Sequence, residues 1–261
     1  MDVRRRTINE KMGRHCPAHC AVYIYNGMNG DIGVEAVNSE IRERVNIREI
    51  YRYLGYGAGI PDDDIQSLIK DVIAHLVNVV KPKNIYRIYE CSTNETGITL
   101  ISDKALSFES RNLASNLAQC SRVVLLAATL GIEADKLLQR YEVLNMAKAA
   151  IIQACGAACI EAYCNILQEK ICDACSSGTD RLYLRPRFSP GYGDLPLQAQ
   201  KTIFEELECT KRIGLTLTDS LLMYPTKSVT AFIGLTANPQ SCHINKCETC
   251  DNMECAFRGG V

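Results

Sequence analysis

Ile65, Leu68, Ile69, Val72 and Ile73 recur at three- and four-residue intervals within "IPDDDIQSLIKDVIAHLVNVVKP", and three acids follow Pro61. This pattern predicts an amphipathic helix with one buried face and a favourably charged first turn. Ahead of it, Asn46 is placed to cap a short helix carrying Ile50, Tyr53 and Leu54, which Gly55 and Gly57 end. The period then changes: "NIYRIYECS" and "GITLIS" alternate as strands do. "SRNLASNLAQC" returns to helix, "RVVLLAATLG" reads as a buried strand stopped by Gly131, and another helix begins near Ile132. In "NMAKAAIIQACGAACIEAYCNILQEKI" the central turns are almost all Ala, Cys and Gly, which predicts a long central helix that neighbours approach closely.

Further on, "LPLQAQKTIFEELECTKRIG" predicts a helix with Leu197, Ile203, Phe204 and Leu207 in the core and Gly214 as its stop. "LTLTDSLLMYP" and "KSVTAFIGL" predict two strands of a hairpin turning at Pro225 and Thr226. Helices alternate with strands while hairpins recur, so the expected class is α+β, a largely antiparallel twisted sheet flanked by helices. Residues 1–44 differ, being polar, with Gly27, Gly30, Gly33 and the charged "EIRERV"; they are expected to form a loosely attached appendage. Residues 45–238 then form the main domain and 239–261 a cysteine-rich tail.

Composition narrows the function. The chain has 261 residues, 47% of them hydrophobic, and a net charge of -1, which supports a sizeable core but no basic field for nucleic acid. No apolar run approaches the roughly 18 to 20 residues of a membrane span, and the basic N-terminus lacks an apolar segment, so a cytoplasmic protein is expected. In that compartment the 14 cysteines are not a disulfide framework. Cys155, Cys159 and Cys164 fit small buried hydrophobes.

"RPRFSPGYGDLP", residues 185–196, interrupts the helix-rich pattern. Its three prolines and the Pro190–Gly191 pair suit a stiff connector. Equally, Arg185 and Arg187 flanking Pro186 on a rigid backbone suit a carboxylate or phosphate, Gly191 lets a ligand lie against the main chain, and Tyr192 offers an aromatic face with a polar tip. Together they suit a small zwitterionic ligand.

With "IGLTLTDSLLMYPTKSVTAFIG" downstream, these residues make the chain recognisable. Arg187, Pro190, Gly191 and Tyr192, followed by Leu217, Thr218, Asp219, Ser220, Met223, Tyr224, Pro225, Ser228 and Val229, resemble the reactivation domain of cobalamin-dependent methionine synthase. "GAACIEAYCNILQEKI" resembles that family's small-residue helix, with Glu161 at its ligand-facing glutamate. The resemblance implies a freestanding reactivation subunit that binds S-adenosylmethionine and caps the cobalamin of a partner methionine synthase subunit. An electron donor such as flavodoxin or ferredoxin would complete the system. It further implies that Arg187 holds the methionine carboxylate, Pro190–Gly193 cradle the adenosine, Glu161 meets the ribose or another polar edge, and Tyr192 lies where the corrin docks. Two alternatives stay open: a reactivator of another corrinoid methyltransferase, or a non-catalytic iron–sulfur or zinc interaction protein on the same fold.

In "CHINKCETCDNMEC", Cys242, Cys247, Cys250 and Cys255 follow a C-x4-C-x2-C-x4-C spacing. Four thiolates so close can wrap a cubane iron–sulfur cluster or a tetrahedral zinc. A metal-free reduced tail is the plain alternative. "CDAC" at 172–175 and "HCPAHC" at 15–20 are weaker candidates.

Overall fold

A computed structural model describes residues 22–23, 33–102, 104–176 and 181–238. Their elements follow in the order β1 (Val22–Tyr23), α1 (Val34–Arg44), α2 (Ile47–Tyr53), α3 (Asp63–Val79), β2 (Lys83–Thr93), β3 (Gly97–Ile101), β4 (Leu106–Glu109) and α4 (Arg111–Asn116). Then come β5 (Arg122–Thr129), α5 (Ile132–Leu144), α6 (Met146–Cys175), β6 (Tyr183–Leu184), α7 (Ala199–Leu207), α8 (Cys209–Ile213), β7 (Thr216–Leu217), β8 (Met223–Tyr224) and β9 (Ser228–Thr236).

The main sheet runs β4-β3-β2-β5-β9-β6, with β1 also on β2, and every pairing is antiparallel. Successive side chains of its central strands point to opposite faces, and both faces are covered. Val124, Leu126 and Ala128 meet α3 and α6 on one side; Val123, Leu125 and Ala127 meet α7 and α8 on the other. This is why β5 reads as an unbroken apolar run rather than an alternation. The α+β class and the antiparallel sheet are as expected.

Local chemistry sets the helix starts. The Asp62 side chain accepts the Ile65 N–H at 2.9 Å and Asn46 accepts that of Arg48 at 3.0 Å. The small residues of α6 do what their size predicts: at Gly156 an added Cβ would lie 2.8 Å from the Lys227 side chain, which crosses the helix there to reach the Gln153 carbonyl. Met146–Cys175 is long and apolar enough to cross a membrane, yet most of its apolar length is buried against the sheet and helices.

Three expectations change, and one strand was not foreseen. Residues 34–44 are not a loose appendage: α1 buries Val37 and Ile41 in the core, and the buried Asn38 amide donates to the Val80 carbonyl at the end of α3. Two apolar residues four apart among many charges were enough, because apart from Val37, Asn38 and Ile41 the residues of α1 are exposed or only partly buried. Residues 1–21 and 24–32 lie outside the described residues. The helix expected over 195–214 is two helices, broken where Glu208 takes a left-handed φ of 50°. The four-residue β4 is too short to announce itself by periodicity.

The hairpin expected around Pro225 does not form. β7 pairs with β8 instead, and β9 lies in the main sheet between β5 and β6. Both hydrogen-bonding edges of β9 are thereby taken. The intervening residues are drawn elsewhere: Thr226 donates its backbone N–H and hydroxyl to the buried Asp135 of α5, and Lys227 bonds to α6.

Candidate functional site

Arg185 and Arg187 are two residues apart, a spacing that in a regular strand aims both at one face. Here it does not. Leu184 pairs with Leu235 and Phe188 bridges Phe232, so four steps along one strand face three along its partner. The extra residue is a bulge, which inverts the side-chain alternation beside Pro186. Arg185 is consequently buried on the α4 side, where its guanidinium donates to the Ala118 carbonyl at 2.5 Å. Arg187 turns to the opposite face and reaches α6.

There its guanidinium meets three side chains spaced along the exposed stripe of the helix. Arg187 Nη2 pairs with Glu161 at 2.5 Å; Nη1 donates to Asn165 Oδ1 at 2.8 Å and to Gln168 Oε1. Its side chain is 12% exposed, whereas that of Glu161 is 50% exposed. The arginine is thus held, and the carboxylate is accessible. Glu161 and Asn165 also line a cavity of about 320 Å³ between α6 and α2, whose far wall carries Glu49, Arg52 and Tyr53. Guanidinium, carboxylate, amide and phenol groups around one ligand-sized space suit a zwitterion. Burial and the nearby Glu161 carboxylate raise the Tyr53 phenol, so it stays protonated as a donor.

Beyond Arg187 the chain makes a tight turn. Gly191 N–H donates to the Leu195 carbonyl at 2.9 Å, and Gly191 and Gly193 take φ of 89° and 54°. A Cβ on Gly193 would lie 2.9 Å from the Asn112 side chain. Gly193 is therefore needed for conformation and for the close approach of α4, and Pro190 is buried. Asp194 fastens the turn: it accepts the Ser110 hydroxyl and the backbone N–H groups of Arg111 at 2.7 Å and Asn112 at 3.2 Å. The Ser110 hydroxyl, then those N–H groups, hold its carboxyl below the usual aspartate range.

A depressed folded value means that the unfolded chain takes up its proton first as pH falls from the ordinary aspartate value of about 4. The stabilisation by Asp194 is complete above that pH and disappears as pH drops through the folded value. Asp194→Asn is expected to flatten this acid limb in urea melts collected from pH 6 downward. An unchanged slope removes Asp194 as a contributor.

A family model for the activation domain of vitamin B12 dependent methionine synthase matches residues 114–258, which include α6, Arg187 and the 190–193 turn. The chain belongs to this family. Among solved structures, the crystal structure of the MetH reactivation domain bound to AdoHcy superposes with a TM-score of 0.62 at 17% identity, covering 83% of this chain and 79% of that chain. At that identity the likeness is one of fold. No curated protein matches the chain.

In this activation domain, Glu161 and Arg187 form an ion pair; Glu161 lines the cavity, whereas Arg187 and residues 190–193 do not. Tyr192 stands 63% exposed on the surface of the turn. Asn165, Gln168 and the α2 wall escaped sequence reasoning. The i, i+4, i+7 spacing from Glu161 to Gln168 was visible, but which side chain faced that stripe was not. Cys155, Cys159 and Cys164 are buried, and desolvation raises all three, Cys159 and Cys164 to about 12, so they remain thiols. Cys242, Cys247, Cys250 and Cys255 lie outside the described residues, as does "HCPAHC", although the family match extends to residue 258 and so includes the four tail cysteines. Cys172 of "CDAC" bonds to the Leu182 carbonyl at 3.1 Å, a contact within the fold.

Proposed function

We propose that this activation domain binds S-adenosylmethionine and presents it to inactive cob(II)alamin on a cobalamin-binding methionine synthase subunit, working in the cytoplasm. The observation that carries the reading is Arg187 held against α6 beside the cavity shared by Glu161 and Asn165. Its guanidinium supplies paired donors for the methionine carboxylate. Glu161, half exposed and already in contact with Arg187, is placed for the adjacent ammonium or a ribose hydroxyl. Tyr192, exposed on a turn pinned by Asp194, gives the corrin a flat apolar face to rest on.

S-adenosylmethionine would supply the methyl group and leave as S-adenosylhomocysteine, after one electron from a flavodoxin- or ferredoxin-type donor had reduced cob(II)alamin to the nucleophilic cob(I) form. The chain contributes orientation: a fixed carboxylate at one end and a docked ring at the other restrict the sulfonium methyl to the approach that transfer needs. The same reading assigns Cys242, Cys247, Cys250 and Cys255 to one metal centre, an iron–sulfur cluster that relays the electron or a structural zinc. Iron, sulfide and zinc analysis after anaerobic purification decides between them, and absence of all three removes the centre.

Mixing the chain with S-adenosylmethionine, a reducing donor and the cob(II)alamin form of a methionine synthase subunit is expected to produce the methylcobalamin spectrum. No spectral change, together with no S-adenosylmethionine binding, overturns the proposal. Methylation of a different corrinoid protein alone assigns the activity to that partner.

A further inference from the structure

Arg187 is oriented by two neutral oxygens and one acid. Asn165 Oδ1, at 2.8 Å, and Gln168 Oε1 both accept from Nη1, and among the described residues Glu161 is the carboxylate ion-paired with it, on Nη2. All three acceptors project from one stripe of α6, so the rigid helix sets the plane of the guanidinium. An amide oxygen orients an arginine without cancelling its charge, whereas a carboxylate does both. Two acids in place of the amides would enclose Arg187 in three negative charges and leave little attraction for an incoming carboxylate.

We infer that Asn165 and Gln168 are positioning residues of the ligand site, a neutral clamp that aims Arg187 while keeping its positive charge available to the carboxylate of the ligand. The inference rests on the S-adenosylmethionine reading above and adds a selection rule: amide, not acid, at both positions. Asn165 is exposed at the cavity wall, and Gln168, outside the cavity lining, is half buried, so neither change of charge falls in the core. Asn165→Asp and Gln168→Glu preserve size and hydrogen-bond acceptance and alter only the charge and the lost amide N–H.

Calorimetry with the full chain, using S-adenosylmethionine and its decarboxylated analogue as probes, tests the clamp. Each acid variant is expected to lower S-adenosylmethionine affinity at least 10-fold near pH 7.5 and to keep the affinity for the decarboxylated analogue within about threefold of wild type. A purely structural role would weaken both probes together. That outcome, or unchanged S-adenosylmethionine affinity in both variants, overturns the clamp while wild-type binding leaves the broader reading standing. If the wild-type chain binds neither probe, the broader reading fails and the clamp with it. Thermal melting run alongside identifies an unfolded variant, and the second variant then carries the test.

Discussion

Arg187→Ala is expected to weaken S-adenosylmethionine binding about 30-fold or more, a loss of roughly 2 kcal/mol, with little change in folding stability. The loss is large because the guanidinium has no substitute: Arg185, the other arginine of the motif, is buried on the far face of the sheet. Folding is spared because the partners of Arg187 can be hydrated. Glu161 is half exposed and Asn165 is exposed, so removing the guanidinium does not strand a buried charge. Arg187→Lys is expected to recover only part of the affinity, since an ammonium cannot satisfy two amide oxygens and a carboxylate in one plane. Calorimetry measures both variants; wild-type affinity in Arg187→Ala removes the residue from the site.

Phe232→Ala is expected to destabilise the fold by about 3–5 kcal/mol, the cost of deleting a fully buried aromatic and leaving a cavity. Phe232 is fully buried in β9 and meets Phe108 edge-on with ring centroids 4.9 Å apart. Its backbone also exchanges both hydrogen bonds with Phe188, at 2.9 and 2.8 Å, immediately after Arg187. The same substitution is therefore expected to loosen the ligand site. Urea denaturation gives the stability change, and a loss below about 1 kcal/mol would show that the core closes around the missing ring.

The relation between sequence and fold is clearest in α6. Its small residues announced a central helix, and Gly156 under the Lys227 side chain shows the close approach they permit. The unbroken apolar run of β5 signalled a strand covered on both faces. By contrast β8 and β9 looked like one hairpin because their apolar runs lie either side of a turn-forming Pro225. Which strand each would pair with depended on Asp135 and α6, residues far away in the chain. α1 was hidden for a related reason, since only two or three of its residues meet the core.

At the site, the chemistry available at Arg187 and the Pro-Gly-Tyr turn was legible from residue type, whereas Glu161 stood out through the family resemblance. The direction of each side chain was not legible. A bulge of one residue separates Arg185 from Arg187 by the thickness of the sheet, and it arises from the pairing of residues 184–188 with β9. Asn165, Gln168, Tyr53 and Asp194 gain their places only when helices remote in sequence close around that strand. Residue chemistry and short-range periodicity are properties of the chain, so they could be read from it. Register, facing and the cavity belong to contacts across 19 to more than 100 residues, and those exist only in the folded protein.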